Sequence, residues 1–302
     1  MSKNIILDTD IGCDCDDVLA LAYALKAHNM GLCKLLGVTY CSILPNVPNF
    51  IRLIIGQYIA LQCGQDDIPI GVIKNYDKDY YKLNKDNYAG EVLAKFPIDN
   101  IADYEDAVRL LRRLLVSAAG KVTIAAVGPL PNLAQLLKSQ PDDISPLNGI
   151  DLVRTKVDEF ACMIGDFRTG DAKHAEWNVI MDIESCQYVM DMSPVPVILL
   201  PYETGLDMIT GAKMVERDGD TTPTSYSYMV HGSSGGRHSW DPATVLYTVK
   251  GAEPWFNLSP AGVIKVDNDG FTNYTEKSDG LHYYLTCAMI KAEIAAEIDG
   301  MV

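Results

Sequence analysis

Five aspartates stand within ten residues near the start of the chain, in the stretch Asp8-Thr9-Asp10-Ile11-Gly12-Cys13-Asp14-Cys15-Asp16-Asp17. Carboxylates a few ångströms apart repel by roughly 4 kcal/mol per pair at an effective dielectric of about 20, unless protons or a cation intervene. Helix capping and a solvated acidic loop account for one or two such residues, but five ask for more. Hard oxygen ligands select Ca²⁺ or Mg²⁺ over zinc, so the cluster reads as a site for a divalent hard cation. Cys13 and Cys15 form a C-x-C pair, but no second pair stands at zinc-ligand spacing.

These carboxylates need a scaffold, and the hydrophobic pattern supplies one. Asn4 to Leu7 reads as a strand, and Val18, Leu21, Ala22 and Leu25 recur at the spacing of one buried helix face. The aspartates therefore join a strand to a helix. Asp8 and Asp10 share a side if the strand continues that far, Gly12 permits a tight turn, and Asp16 and Asp17 fall at the helix start, where the macrodipole favours anions. Further strands are expected at Lys34 to Thr39, Ile68 to Ile70, 122–127, 158–165 and 194–200. Helices are expected near Phe50 to Leu61, Tyr104 to Ala118, Leu130 to Leu137 and Glu184 to Met190. Such alternation implies an α/β fold, a mostly parallel sheet with helices on both faces and a ligand crevice beyond the strand C-terminal ends. Residues 261–285 suggest short antiparallel strands, followed by a last helix from Leu285 to Ile298. The stretches 71–103 and 217–240 read as long loops of the kind that form lids or binding loops.

The 302 residues carry a formal charge of −15, with 48% hydrophobic and 22% charged side chains. That composition fits a globular protein with a substantial core, and its negative field argues against a nucleic acid polymer as partner. The N-terminus lacks an apolar secretory core, and no apolar run reaches the roughly 18 residues of a membrane span. Eight cysteines scattered through a long chain suit reduced thiols and a cytoplasmic location. No linker or repeat divides the sequence, so residues 1–302 are expected to form one domain.

An acidic strand-to-helix loop has several known uses. An EF-hand is excluded, because its loop lies between two helices. A metal-dependent phosphohydrolase with an aspartyl nucleophile is closer, although its loops usually carry Thr or Val where this one has Gly12. The stretch DTDIGCDCDDVLALAYAL resembles the N-terminal signature of the inosine-uridine type nucleoside hydrolases, in a longer form with two extra residues before the Asp-Asp pair. Three more segments follow in the family's order. AAVGPLPNLAQLL is similar to its strand–GPLTN–helix segment, with Pro131 where Thr is common. AEWNVIMD resembles its A-E-[FW]-N-x-x-x-D segment, and Ser239-Trp240-Asp241-Pro242 resembles the C-terminal aspartate motif that begins a helix.

The resemblance implies a nucleoside hydrolase-like fold and a Ca²⁺-dependent hydrolase that cleaves ribonucleosides to ribose and free base. Asp10, Asp17, the backbone carbonyl of Val127 and Asp241 would hold the Ca²⁺, with Asp8 supporting them. Asp10 would also serve as general base towards a metal-bound water. Asp16 and Asn178 would bind the ribose hydroxyls, and Glu176 the 5′-hydroxyl. By the same analogy the partner is a small-molecule nucleoside, and the chain self-associates as a dimer or tetramer.

The sequence departs from the family on the leaving-group side. Many members have His before the C-terminal aspartate, whereas Trp240 stands here, as in a purine-preferring branch. Tryptophan donates no catalytic proton but can stack on a purine; His238, His231 or a tyrosine of the 217–240 loop would then supply the proton. The family's G-N turn after the second strand is replaced by TYCSILPNVPN, where Asn46 or Asn49 is the candidate for reaching the sugar. Gly170 stands where an asparagine is expected before Glu176, and Asp14, the extra carboxylate, has no assigned role. A nucleoside- or sugar-binding protein with weak or lost catalysis is the competing reading.

Overall fold

The computed structural model describes residues 2–44, 46–59, 68–74, 76, 88–99 and 103–302. The first half of the chain alternates strands and helices: β1 (Lys3–Thr9), α1 (Asp16–Asn29), β2 (Cys33–Tyr40), α2 (Val47–Ile59), β3 (Ile70–Val72), α3 (Ala89–Lys95), β4 (Glu105–Asp106), α4 (Ala107–Ser117), β5 (Val122–Ala126), α5 (Pro131–Lys138) and α6 (Gly149–Lys156). The second half continues with β6 (Val157–Cys162), α7 (Trp177–Met181), α8 (Ile183–Met192), β7 (Val197–Leu199), α9 (Tyr202–Gly205), β8 (Ile209–Thr210), α10 (Ala212–Asp218), α11 (Pro223–Val230), β9 (Arg237–His238) and α12 (Trp240–Lys250). Strands β10 (Phe256–Leu258), β11 (Gly262–Val266), β12 (Thr272–Glu276) and β13 (His282–Cys287) and helix α13 (Lys291–Met301) complete it.

Among the described residues the main sheet runs β12-β11-β13-β7-β6-β5-β1-β2-β3-β4, with β10 paired to β13. Pairing is parallel from β7 through β4, as the alternation predicted. From β1 the chain builds outward through β2, β3 and β4, then returns by α4 to place β5 on the other side of β1. Strand order therefore reverses between β1 and β5, and the loops beyond their C-terminal ends diverge to opposite faces, leaving a crevice.

The central strands are buried on both faces, which is why they read as continuous apolar runs. Ile5 and Leu7 join the core under α1, α2 and α12, while Ile6 joins the opposite core under α4, α5 and α8. Helix α4 is held at its start by Asp106, which accepts from the Arg109 backbone N–H at 3.0 Å. On that helix Arg112 is buried and pairs with Asp142 through Nε at 2.9 Å and Nη2 at 2.8 Å. No helix among the described residues is long and apolar enough to cross a membrane.

Three expectations change. The last helix begins at Lys291, because Leu285 is a strand residue paired with Leu258, and β13 lies parallel to β7 while pairing antiparallel with β10 and β11. Within the expected 217–240 loop, Pro223 opens α11 at the first helical position and Thr222 caps it through the Ser225 N–H at 3.3 Å. Helix α3 occupies part of the expected 71–103 loop; most of the rest of that stretch, like the expected helix end at Leu61, lies outside the described residues.

Candidate active site

The aspartate loop sits in the crevice that the strand order predicts. Asp8 ends inside β1, completely buried, with its Oδ1 accepting from Thr39 Oγ1 at 2.5 Å and Asn132 Nδ2 at 2.7 Å. Burial pushes its carboxyl up to about 7 despite these donors. Asp8 thus ties β1 to β2 and α5 beneath the cavity. Asp10 follows the strand and lines the cavity itself. A side chain at Gly128 would put a Cβ 2.6 Å from Asp10 Oδ1, so glycine there lets the β5 loop close over that carboxylate. Gly12 turns the chain with φ of +109°, a conformation that favours glycine.

Helices α1 and α12 pack against each other, and their N-termini converge on this point. Asp16 Oδ2 accepts from the backbone N–H groups of Trp240 and Asp241, both at 3.1 Å, so one carboxylate at the start of α1 caps the other helix. Asp17 Oδ1 accepts from Thr9 Oγ1 at 2.5 Å. Carboxylate oxygens of Asp16, Asp17 and Asp241 lie within 4.8 Å of one another, and all three residues are buried. Burial, and then repulsion from neighbouring aspartates (Asp14 on Asp16, Asp10 on Asp17, Asp16 on Asp241), holds all three well above the usual carboxylate range. Asp241's carboxylate receives no hydrogen bond from the described residues, and no lysine or arginine makes an ion pair with Asp16, Asp17 or Asp241 among them. A group of oxygens this close and this short of donors can bind a metal ion.

The opposite wall comes from β6 and α7. Glu176 caps α7, accepting from the backbone N–H groups of Asn178 at 2.9 Å, Gly165 at 3.2 Å and Val179 at 3.3 Å. Asn178 Nδ2 donates to the Val127 carbonyl at 3.2 Å and the Met163 carbonyl at 3.0 Å, which joins this wall to the end of β5. Burial lifts the Glu176 carboxyl from an ordinary value near 4.5 to about 7. Between those pH values the folded chain holds a proton that the unfolded chain releases, so the group's contribution to stability falls as pH rises, by about 3 kcal/mol across the window. Glu176→Gln, neutral throughout, should flatten the dependence of urea-unfolding free energy on pH from 4.5 to 7 in chelator. An unchanged slope would mean that Glu176 is ionised in the folded chain.

The remaining wall is aromatic and cationic. Trp240 donates through Nε1 to the Tyr202 carbonyl at 2.9 Å and stacks on the Tyr202 ring, with centroids 5.4 Å apart and planes at 25°. Tyr202 in turn lies under the Arg168 guanidinium, 4.7 Å from its centroid. One face of Trp240 is therefore covered by the chain's own tyrosine. Trp177, 46% exposed on the cavity wall, offers an aromatic surface that the sequence reading did not single out.

The cavity measures about 320 Å³, within the range of small-molecule sites. Asp10, Asp16, Asp17, Val127, Glu176, Asn178, Trp240 and Asp241, expected from sequence, all line it. Two expected residues do not. Asn46 is exposed in the turn before α2, while the alternative Asn49 is buried on α2 and accepts from Tyr104 Oη at 2.7 Å. His238 packs against Trp240, centroids 5.0 Å apart, outside the cavity lining; its Nδ1 accepts from the Asp207 backbone N–H at 2.8 Å. His231, by contrast, reaches the cavity, as do Arg237 and Tyr202, which the sequence reading left unassigned. The basic character of Arg237 four residues before Asp241 was the available signal for it.

The model of the inosine-uridine preferring nucleoside hydrolase family matches residues 5–282. The pyrimidine-specific ribonucleoside hydrolase RihA of Photobacterium profundum is 26% identical over 227 residues, covering 72% of this chain and 65% of that protein, just under two thirds of its length. The crystal structure of an inosine-uridine preferring nucleoside hydrolase from Bacillus anthracis superposes with a TM-score of 0.72 at 17% identity, over 99% of this chain and 100% of that one. A purine-preferring ribonucleoside hydrolase from Gardnerella vaginalis gives 0.68 at 18% identity, over 99% of both chains. The likeness to these structures is one of fold, and the family match spans the whole crevice from Asp8 to Asp241. The chain belongs to the inosine-uridine preferring nucleoside hydrolase family.

Proposed function

We propose that the protein is a Ca²⁺-dependent hydrolase that cleaves the N-glycosidic bond of ribonucleosides, releasing ribose and a free base. The observation that carries this reading is the convergence of Asp10, Asp16, Asp17 and Asp241 with Glu176 and Asn178 on one cavity at the switch point of a parallel sheet. Ca²⁺ fits the donor set, since every side-chain candidate is a carboxylate and the Val127 carbonyl adds a neutral oxygen. Asp10, Asp17, Asp241 and that carbonyl would hold the ion, which when bound lowers the pKa of a water and fixes hydroxyl oxygens beside it.

The chain's own groups do the rest. Asp10 takes the proton from the attacking water as its oxygen bonds to C1′. Asp16 keeps one carboxylate oxygen beyond the two backbone donors it caps, and that oxygen accepts from a ribose hydroxyl. Asn178 faces the same hydroxyls, and Glu176, with a carboxyl lifted by burial, meets the 5′-hydroxyl. An oxocarbenium-like transition state carries positive charge on the sugar, and the surrounding carboxylates stabilise it without reorganising.

Incubation of the protein with Ca²⁺ and a panel of purine and pyrimidine nucleosides should release reducing sugar in proportion to free base. Absence of ribose from every nucleoside, at high enzyme concentration, would overturn the assignment. A binding protein without catalysis would then be favoured, because the sugar-facing groups would remain while the base chemistry failed.

A further inference from the structure

The hydrolysis just described gives no task to Asp14 or to Arg237, yet these two are the most closely paired ions of the cavity wall. Arg237 Nε donates to Asp14 Oδ1 at 2.9 Å and Oδ2 at 3.1 Å, and Nη2 donates to Oδ2 at 2.5 Å. Those bonds occupy the Nε–Nη2 edge of the guanidinium. Its other edge, between Nη1 and Nη2, makes no hydrogen bond with a described residue. The guanidinium carbon lies 5.4 Å from the centroid of Trp240, and the side chain is 34% exposed on the cavity wall.

Asp14 is itself fixed. Its Oδ1 accepts from the Cys15 backbone N–H at 2.6 Å, and its carbonyl accepts from Tyr88 Oη at 2.7 Å. His231 stands nearby, with Nε2 3.7 Å from Asp14 Oδ1 and Nδ1 2.9 Å from Ser233 Oγ. Burial keeps the His231 ring below its ordinary pKa, which leaves Arg237 as the permanent cation on this wall. Arg237 lines the cavity beside Trp240.

Resting on the nucleoside reading above, we infer that Arg237, positioned by Asp14, recognises the leaving base through the Nη1–Nη2 edge and selects 6-oxopurines. A guanidinium edge presents two parallel N–H donors, which match two neighbouring acceptors. The O6 and N7 atoms of a 6-oxopurine form such a pair, whereas adenine sets an amino donor beside N7. Uracil separates its two carbonyl oxygens by an N–H. Selection therefore follows from donor count and direction, not from size.

The same contact acts in the reaction. As the C1′–N9 bond breaks, its electron pair passes into the purine, the water oxygen bonds to C1′, and the water proton goes to Asp10. Charge reaching O6 and N7 meets a guanidinium that keeps all its protons. The departing base takes its own proton from solvent water, and Asp10 returns one to solvent. Arg237 thereby stabilises a leaving group in a family member whose Trp240 donates no proton.

Isothermal titration of the full chain with free hypoxanthine and free adenine tests this directly, alongside inosine and adenosine turnover. The protein should bind hypoxanthine roughly 10- to 100-fold more tightly than adenine. Arg237→Met should bring the two within about threefold, chiefly by losing hypoxanthine affinity. Arg237→Lys, which keeps the charge but not the paired donors, should lose most of the preference as well. Equal weakening towards both bases would make Arg237 a structural counter-ion, and an unchanged preference in both variants would overturn the proposal too. Circular dichroism melting checks that each variant folds, and the lysine variant serves if the methionine one does not. Selective hypoxanthine binding without ribose release would sink the hydrolase reading and keep the recognition; ribose release without base preference would sink the recognition alone.

Discussion

Asp10→Ala should lower kcat/KM for every nucleoside substrate by at least about a thousandfold, while the variant folds as the parent does. A positioned general base contributes roughly 10²- to 10⁴-fold. Alanine also removes a proposed metal ligand, which adds to the loss. The side chain has little freedom to be replaced by a neighbour, because the Gly128 backbone closes over it and Thr9 is committed to Asp17. Folding should not suffer, since deleting one carboxylate from a crowded buried group relieves repulsion. Steady-state ribose release, with far-ultraviolet dichroism as the control, measures both. Asp10→Asn, which keeps the shape and loses the basic oxygen, should fall nearly as far. Near-parental turnover in either variant would assign the base elsewhere.

Removing the cation should be as visible in stability as in catalysis. A ligand that binds only the folded state at a hundred times its Kd stabilises by about 2.7 kcal/mol, and for a chain of this size that raises Tm by about 5 °C. Saturating Ca²⁺ should therefore lift the melting temperature by that order over chelator. Asp241→Asn should erase most of the shift, because Asp241 brings a buried carboxylate with no donor of its own to the point where α1 and α12 meet. In chelator the same variant should melt no lower than the parent, since a neutral amide is the less costly group to bury there. Equal melting of the parent in Ca²⁺ and chelator would show that the carboxylates hold no such ion. A full shift in Asp241→Asn would remove this residue from the ligand set.

The two experiments separate functions that the cavity superimposes. Asp10 is proposed to act on both the proton and the ion and Asp241 on the ion alone, while Arg237 reads the base. Loss of turnover with the Ca²⁺ shift intact is the signature of a chemical role. Loss of both is the signature of a ligand.

Sequence alone fixed whatever depends on neighbours in the chain. The aspartate loop was legible because a strand, a glycine turn and a helix start follow one another within ten residues, and each has a local signal. The parallel order of the sheet followed from the alternation of strands and helices, whereas the segments around Val127, Glu176 and Asp241 were singled out by their resemblance to the family's motifs. Helix α11 had a readable start in Thr222 and Pro223, obscured by the polar residues around it. The strand pairing of β13 had no local signal, since Leu285 is equally at home on a helix face and joins the sheet only because β10 and β7 are there to receive it.

Tertiary structure decided which side chains meet across the cavity. Asp14 and Arg237 are 223 residues apart, and nothing in the spacing of either foretells a bidentate pair. Asp16 and the start of α12 meet over a similar separation. The His238 ring is engaged by the Asp207 backbone N–H, while Trp240 two residues on lines the cavity without it. Local propensity sets the form of each element, but the direction of a side chain at a site depends on how elements pack, and those contacts are made only when the whole sheet has closed.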